Sequence, residues 1–328
     1  MAAHRRPPVV HVTWQRHAGR AVEIAEALGG APVHVYMPAL SRKPLVPVRY
    51  VLSALATAAA LVRARPRAVI VTNPPVFPGL VVAAYCAVTR TRFLLDSHPG
   101  SFGVKGNVVS RKLLGVTRWL ARRSSGVMVT VDHYVRLVQT WGARGLVVHE
   151  APPSWTIGPP QRGPRPRVLF VCVYSEDEPV HEVVEAARLL PDVDVAITGD
   201  LRRRPAGLGE RAPANVDFVG FLGQKDYLAE IARADVVVSL TTEPTSIMRS
   251  AYEAVYALRP LVVSDWPALN EVFPYGHATA NEASALAAAI SAALEDAPHV
   301  QESALVAQRE RWEAQLAALR EALGLTRA

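Results

Sequence analysis

The sequence predicts an α/β protein built from two doubly wound domains. Short apolar runs alternate with segments of helical spacing, the runs are apolar throughout, and one proline-rich segment interrupts the pattern near the middle. Such runs are expected in parallel sheets that helices cover on both faces. A chain of 328 residues also exceeds what one hydrophobic core usually serves, which favours two domains of about 150 residues.

The first half holds six apolar runs and five helical segments. The predicted strands are Val9 to Thr13, Val33 to Tyr36, Ala68 to Thr72, Phe93 to Asp96, Val127 to Val131 and Leu146 to His149. The predicted helices are Arg20 to Leu28, Pro47 to Arg63, Pro78 to Val88, Asn107 to Arg122 and His133 to Trp141. Residues 1–152 are therefore expected to form one Rossmann-like domain.

A proline-rich segment marks the boundary. Residues 152–167, PPSWTIGPPQRGPRPR, contain six prolines and two glycines, which exclude the interior of a helix or strand. We predict a linker at 153–166, a second Rossmann-like domain at 167–298 and a C-terminal surface helix at 299–328.

In the second half the alternation restarts. The predicted strands are RVLFVCVYS, VDVAITGD, VDFVGF, DVVVSL and PLVVSD, and the predicted helices are EPVHEVVEAARLL, KDYLAEIARA, SIMRSAYEAVYAL and EASALAAAISAAL. Ligands of such sheets bind beyond the carboxyl ends of the strands. We therefore expect two Rossmann-like domains that face a cleft, with the site in that cleft.

The cysteine content and the length of the apolar runs indicate the cellular compartment of the protein. Cys86 and Cys172 both lie within apolar runs, so a disulfide framework is excluded and a cytoplasmic location is expected. No signal peptide is apparent. The longest apolar run, Tyr50 to Val62, is about a third shorter than the roughly 18 to 20 residues that span a bilayer, so no transmembrane segment is expected.

The charge is divided unequally between the halves. Residues 1–150 carry 20 Lys/Arg against 5 Asp/Glu, whereas residues 151–328 carry 16 against 24. A basic amphipathic helix such as Asn107 to Arg122 can lie on an anionic membrane, or it can pack its apolar face on the sheet and leave its charges in water. Nucleic-acid binding is disfavoured because the basic residues are scattered and no recognition motif is present.

The segment from Asn215 to Phe273, which contains AYEAVYALRPLVVSD, resembles the nucleotide-sugar-binding domain of GT-B glycosyltransferases of the family-four type. The resemblance covers residues 167 to 295 and extends to the first domain only in architecture. It implies a metal-independent hexosyltransferase of glycan biosynthesis. Such an enzyme takes a nucleoside diphosphate sugar as co-substrate and needs no cofactor.

The resemblance also implies the donor-binding residues. The Glu that matches Glu253 accepts hydrogen bonds from the ribose hydroxyls, and amides at the start of its helix, near Ser246, face the diphosphate. Where the family has a second Glu, this sequence has Thr245, and the nearest carboxylate is Glu243. This departure leaves the transferred sugar and the stereochemistry open. Further candidate donor ligands are basic or turn residues: Gly199, Asp200, Arg202 and Arg249.

The first domain supplies the expected catalytic residues. Asp96 and His98 follow the run FLL. Asp96 is a candidate general base if the enzyme inverts, and His98 a candidate ligand of the donor sugar if it retains. These residue types also suit a helix N-cap. Arg16, His17 and Gly19, in WQRHAG, are candidates for the acceptor side.

The leading hypothesis is sugar transfer to an acceptor hydroxyl on a lipid-linked glycan or a small-molecule glycoside. A peripheral position on the inner face of the cell membrane, through the basic first domain, is part of this hypothesis. Two alternatives stay open: a nucleotide-sugar epimerase of the same fold, and a catalytically inactive nucleotide-sugar-binding subunit.

Overall fold

The computed structural model describes residues 6–16, 19–40, 42–103, 108–161 and 163–325. The chain forms two compact units. The first unit comprises residues Met1–Ala151 and Arg311–Ala328, and the second comprises Pro152–Glu310.

Within its described residues, the first unit contains a six-stranded parallel sheet of order β2-β1-β3-β4-β5-β6. Its strands are β1 Val9–Thr13, β2 Ala31–His34, β3 Ala68–Asn73, β4 Arg92–Ser97, β5 Gly126–Val129 and β6 Gly145–Val147. All residues of β1, β3 and β5 are buried, as expected for strands that helices cover on both faces.

The helices of the first unit alternate with these strands. They are α1 Gly19–Ala27, α2 Val46–Ala64, α3 Phe77–Thr89, α4 Val108–Arg123 and α5 Asp132–Thr140. Ile24 and Leu28 pack with Val9 in one core cluster. The same cluster contains apolar side chains from the end of the chain, namely Trp312, Leu316, Leu319 and Leu323.

Helix α2 has an unusual orientation, because its inward residues are mostly polar. Its buried residues are Ser53, Thr57 and Leu61, while Leu52 and Leu55 are exposed. By length and composition alone, α2 is long and apolar enough to cross a bilayer, and only 17% of its most apolar window is buried. The apolar run at 50–62 lies within this 19-residue helix, which extends the predicted helix Pro47 to Arg63 by one residue at each end.

Helix α4 buries part of its apolar face. Leu120 is fully buried and approaches Gly79 of α3 so closely that a Cβ there would lie 2.7 Å from Leu120 Cδ1. The Arg122 Nε donates to the carbonyl of Trp141 at 2.7 Å. Leu120 thus packs inside the unit, as one of the two possibilities for this helix requires, whereas Trp119 is 43% exposed.

The second unit contains a parallel sheet of order β12-β11-β10-β7-β8-β9, six strands within the described residues. The strands are β7 Arg167–Phe170, β8 Asp194–Thr198, β9 Val216–Gly220, β10 Val236–Ser239, β11 Leu261–Ser264 and β12 His277–Thr279. The helices are α6 Val180–Arg188, α7 Leu208–Arg211, α8 Gln224–Arg233, α9 Arg249–Tyr256, α10 Pro267–Val272 and α11 Ala283–Leu294. Helix α12, Pro298–Ala322, begins in the second unit and belongs to the first unit from Arg311 onward.

The prediction that a helix begins near Ser246 is wrong, because α9 begins at Arg249. The preceding residue, Met248, is extended (φ −82°, ψ 138°). The Ser246 amide donates to the carbonyl of Glu243 in a turn. Pro244 disfavours helical backbone at the residue before it, which helps to keep this stretch a loop.

The proline-rich segment is tied to the second unit by one buried side chain. Arg259 is 1% exposed, and its guanidinium donates to the carbonyls of Gly158, Ile231, Ala232 and Ala257. The described residues of 152–166 contain neither helix nor strand. Arg259 thus joins Gly158 of this segment to the backbone near residues 231 and 257, and the Gln161 amide adds a bond to the Ala232 carbonyl.

Candidate functional site

In the second unit the chain reverses its direction of progress across the sheet between β7 and β10. Parallel sheets bind ligands at the carboxyl end of such a position. Two loops meet there, residues 171–179 after β7 and residues 240–248 after β10. Thr241 Oγ1 donates to Asp177 Oδ2 at 3.0 Å, and the Thr242 amide donates to the Asp177 carbonyl at 2.7 Å. The two loops are thus held together.

A buried carboxylate shapes the loop after β7. Glu178 is 6% exposed and accepts hydrogen bonds from the amides of Val173 and Ser175, both at 2.9 Å. The Cys172 thiol also donates to it, at 3.3 Å. Burial, with the nearby charge of Glu178, raises the pKa of Cys172, so the thiol stays protonated. Glu178 was not predicted from the sequence, since an acidic residue before a helix is usually exposed.

Gly199, a predicted donor-binding residue, follows β8 at the same edge of the sheet. Its φ is +122°, and a Cβ would lie 2.6 Å from Cε2 of Tyr174 and 2.9 Å from the Cys172 carbonyl oxygen. Only glycine fits this backbone and this space. The Tyr174 hydroxyl is buried without a partner among the described residues, and burial raises the pKa of Tyr174 to about 12.

Asp200 and Arg202, the next predicted donor ligands, bind each other. Arg202 Nη2 lies 2.6 Å from Asp200 Oδ2, and the Arg202 amide donates to Asp200 Oδ1 at 3.1 Å. The Arg202 side chain holds the pKa of Asp200 down to about 2. This pair closes the turn after β8 and leaves Arg202 largely in solvent.

Glu253 lies in the second turn of α9, and both of its oxygens have partners. Tyr227 Oη of α8 donates to Oε2 at 2.6 Å, and Arg249 Nε donates to Oε1 at 2.9 Å. Burial, followed by the charge of Glu253, raises the pKa of Tyr227, which is therefore a hydrogen-bond donor at neutral pH. A carboxylate has about four acceptor positions, so Glu253 can accept further hydrogen bonds.

Three further predicted donor residues lie in the loop that leads to α9. Glu243 is exposed, whereas Thr245 and Ser246 are half-buried. The Glu243 amide donates to Thr241 Oγ1 at 3.1 Å, which joins this turn to the Asp177 contact. The structure thus brings the predicted donor residues onto neighbouring loops at one edge of the second unit's sheet, together with α9.

In the first unit the corresponding position lies between β1 and β3, where Gln15 Nε2 donates to the Pro74 carbonyl at 3.0 Å. Arg16 follows on the same loop and is exposed, and Gly19 is the first residue of α1. His17 was predicted on the acceptor side and lies outside the described residues.

Asp96 lies in a buried polar cluster. It is 2% exposed, and Arg20 Nε donates to both of its oxygens, at 3.3 and 3.4 Å. Burial disfavours the charged form of Asp96, yet Arg20, followed by His98 and His11, holds its pKa below the usual value. Arg20 also donates to Glu150 and to the carbonyls of Val148 and His149. Asp96 is therefore an ionised anchor for Arg20.

His11 packs under this cluster and is neutral. Burial lowers its pKa to about 4, with smaller effects from Asp96, Arg20 and His98. Its Nε2 lies 3.1 Å from Thr72 Oγ1 and 3.6 Å from Asp96 Oδ2, so the Asp96 contact is not an ion pair at neutral pH. Sequence analysis missed both His11 and Arg20, because each lies in a segment that reads as ordinary strand or helix.

His98 directly follows β4 and is half-buried. Its amide donates to the Asn73 carbonyl at 2.9 Å, which joins the loops after β3 and β4. Its side chain makes no capping hydrogen bond to the short 3-10 helix Pro99–Phe102 that it precedes.

Among the described residues, no group of three or more His, Cys, Asp or Glu side chains is arranged to hold a metal ion.

Solved structures identify the class of fold. HepE of Anabaena, in complex with UDP and glucose, aligns with a TM-score of 0.69 at 14% identity over 98% of this chain and 100% of HepE. Sucrose-phosphate synthase of Thermosynechococcus elongatus aligns with a TM-score of 0.66 at 16% identity over 95% and 97%. A putative UDP-N-acetylglucosamine 2-epimerase of Listeria monocytogenes aligns with a TM-score of 0.64 at 10% identity over 98% of both chains. The fold is that of the GT-B glycosyltransferases, as the sequence indicates.

The family model described as Glycosyl transferases group 1 matches residues 165–296. The second unit therefore carries a domain of that family, and the resemblance noted in the sequence is confirmed. No curated protein matches this chain.

Proposed function

We propose that this protein is a glycosyltransferase that moves a sugar from a nucleoside diphosphate sugar to an acceptor hydroxyl. The observation that carries the proposal is the position of Glu253. It lies inside the matched domain, on a helix beside the loop after β10, and Tyr227 and Arg249 orient its carboxylate. HepE aligns over the whole chain and binds UDP and glucose in its crystal, which supports a uridine nucleotide as the first donor to test.

Glu253 would accept hydrogen bonds from the two ribose hydroxyls, since it keeps acceptor capacity beyond its two protein partners. The diphosphate would lie against the amides that begin α9 at Arg249, where the helix dipole favours an anion. Arg249 would then share its charge between Glu253 and a phosphate oxygen. Fixed cations of this kind stabilise a departing nucleoside diphosphate without a metal.

In the first unit the geometry favours His98 over Asp96 for contact with a substrate. A general base must present a free acceptor to the substrate hydroxyl, whereas Asp96 is buried and holds Arg20 with both oxygens. His98 is half-buried at the end of β4 and makes no capping contact. Asp96 and Arg20 would act by positioning the loop that carries His98.

A thermal-shift screen of UDP, GDP, ADP and dTDP sugars tests donor binding. A ligand at about 100 times its dissociation constant stabilises by about 2.7 kcal/mol, which corresponds to about 5 to 10 °C for a domain of this size. We expect Glu253→Gln to remove most of the shift. The matched control is Glu185→Gln, because Glu185 is an exposed glutamate of α6 whose contact is a surface pair with Arg188. An equal shift in the Glu253 variant would remove this residue from the site.

The epimerase alternative is favoured by one specific observation, the alignment with the Listeria protein described as a putative UDP-N-acetylglucosamine 2-epimerase. Incubation with UDP-N-acetylglucosamine alone separates the candidates. An acceptor-independent isomer would support the epimerase, and UDP release that depends on an added acceptor would support the transferase. Donor binding with neither product would indicate an inactive binding subunit.

A further inference from the structure

Helix α2 has its apolar stripe on the outside. Val48, Val51, Leu52, Leu55 and Val62 are between 42% and 62% exposed, and they recur at helical spacing. The opposite side buries two hydroxyl residues and one leucine. A helix that serves only to cover a sheet turns its apolar side inward. Helix α2 does the reverse.

Specific contacts fix this orientation. Trp14 Nε1 donates to Thr57 Oγ1 at 2.9 Å, inside the unit. Rotating α2 to bury its leucines would break this bond and leave a buried indole N–H unpaired, which costs about 1 to 3 kcal/mol. The outward stripe is thus a property of the folded unit.

The exposed apolar surface continues onto α3. Phe77 and Leu80 are 39% and 38% exposed, and the Phe77 ring packs edge-on against Tyr50 of α2 at 4.8 Å. We define the α2 face as Val48, Val51, Leu52, Leu55, Val62, Phe77 and Leu80. A group of neighbouring exposed apolar side chains indicates an interaction site.

The α2 face also adjoins the candidate site of the first unit. Tyr50 and Phe77 line a cavity of about 330 Å³ together with Pro74 and Pro75, which belong to the loop after β3. Whatever covers the α2 face therefore lies next to the loop that Gln15 contacts.

The charge around this face selects the kind of partner. Residues 27–131 contain fourteen Lys/Arg and a single acidic residue, Asp96. Asp96 is buried and paired with Arg20, so it does not offset the basic surface. Near α2 itself, Arg63, Arg65 and Arg67 are exposed at its C-terminal end. A second copy of such a face would meet like charge, whereas anionic lipid headgroups are complementary.

The topology favours a helix that lies on a bilayer over one that crosses it. Helix α2 connects β2 and β3, which are both strands of one sheet and both pair with β1. Crossing a bilayer would pull these strands apart. Lying in the interface buries the outward stripe and keeps the arginines at the headgroups.

We propose that the α2 face docks the first unit on an anionic phospholipid bilayer. Helix α4 packs Leu120 against α3 and exposes mainly charged side chains, together with Trp119. Docking in this way holds the loop after β3 at the lipid surface, where the hydroxyl of a lipid-linked acceptor is accessible. That consequence for the acceptor rests on the proposed transferase function, whereas the docking itself does not.

The test is flotation of the full chain with vesicles of phosphatidylcholine, with and without about 30 mol% phosphatidylglycerol. We expect flotation with the anionic vesicles, less with the neutral ones, and a decline as NaCl is raised. Leu52→Glu with Leu55→Glu should weaken binding about a hundredfold or more, because two leucine side chains lose their burial. Leu189→Glu with Val306→Glu, at exposed apolar positions of the second unit, should bind as the wild type does.

Several outcomes would overturn the proposal. They are equal flotation with neutral vesicles, no flotation at all, or a Leu52/Leu55 variant that floats as well as the wild type. A wild-type dimer that this variant converts to a monomer, with no vesicle binding, would assign the face to a second copy. The wild-type comparison of the two lipids holds even if the variant misfolds. The shift with UDP sugars, measured without lipid, reports the proposed function separately.

Discussion

Replacing Gly199 by alanine tests whether the edge of the second unit's sheet is built as described. The new Cβ would meet the Tyr174 ring at 2.6 Å and the Cys172 carbonyl at 2.9 Å. The carbonyl is backbone of the loop after β7, so relief requires that the loop shift. The φ of +122° is also one that alanine rarely adopts.

The expected loss of stability in Gly199→Ala comes from the positive φ and from the crowding of the new Cβ. Unfavourable backbone conformation costs about 1 to 3 kcal/mol, and overpacking costs about 1 to 3 kcal/mol. We expect about 3 kcal/mol in total, or a fall of about 6 to 12 °C in the melting temperature of the second unit. Calorimetry gives the melting temperature, and hydrogen exchange should show faster opening of the amides of β7 and β8.

Gly158→Ala provides the matched control. A Cβ at Gly158, also in the second unit, meets nothing within 4 Å, and its φ is not positive. We expect its effect to stay within about 0.5 kcal/mol. A loss of stability below about 1 kcal/mol for Gly199→Ala would refute the reasoning, since it would mean that neither the positive φ of residue 199 nor the close contacts of the new Cβ with Tyr174 and Cys172 destabilise the fold.

Three other perturbations have definite expected outcomes. Tyr227→Phe removes the hydrogen bond to Glu253 and should raise the Kd of the nucleotide sugar about fivefold with unchanged folding, measured by titration calorimetry; an unchanged Kd would show that Tyr227 does not orient the carboxylate. Arg259→Met removes the hydrogen bonds to four carbonyls, of which that of Gly158 lies in the proline-rich segment, so limited proteolysis should cleave the segment 158–166 faster than in the wild type. An equal rate would contradict the anchoring role. Burial lowers the pKa of His11 to about 4, so the folded state binds fewer protons than the unfolded state between that value and about 6.5, and the first unit should lose stability as pH falls through this window. In urea unfolding, His11→Gln, which cannot titrate, should show a flatter dependence of stability on pH than the wild type. Equal slopes would refute a neutral buried His11.

The sheets could be predicted from sequence because their strands are mostly apolar. Val9–Thr13 matches β1 residue for residue, since no turn residue blurs its ends. Elements with too few residues for a period, such as β12 and α10, were not predicted. The start of α9 was misplaced because its loop is fixed by hydrogen bonds that the amides of Glu243 and Ser246 donate to Thr241 Oγ1 and to the Glu243 carbonyl, and helical spacing does not reveal these bonds.

The polar residues behind the candidate site were less accessible to sequence reasoning. Periodicity shows that α2 is a helix but does not show which side faces inward. The apolar side of a helix usually faces the core, whereas in α2 the hydrogen bond between Trp14 and Thr57 holds the polar side inward. Arg20 and Asp96 are 76 positions apart, and nothing in the local pattern of either residue indicates the other. Long-range pairs of this kind need the fold before they can be recognised.

Helix α12 has a consequence for the order in which the chain can fold. Its last turns, with Trp312, Leu316 and Leu319, complete the core that begins at Val9. A fragment ending at Ala151 would lack those side chains and expose the apolar surface they cover. During synthesis the core of the first unit therefore stays incomplete until the residues of α12 have left the ribosome.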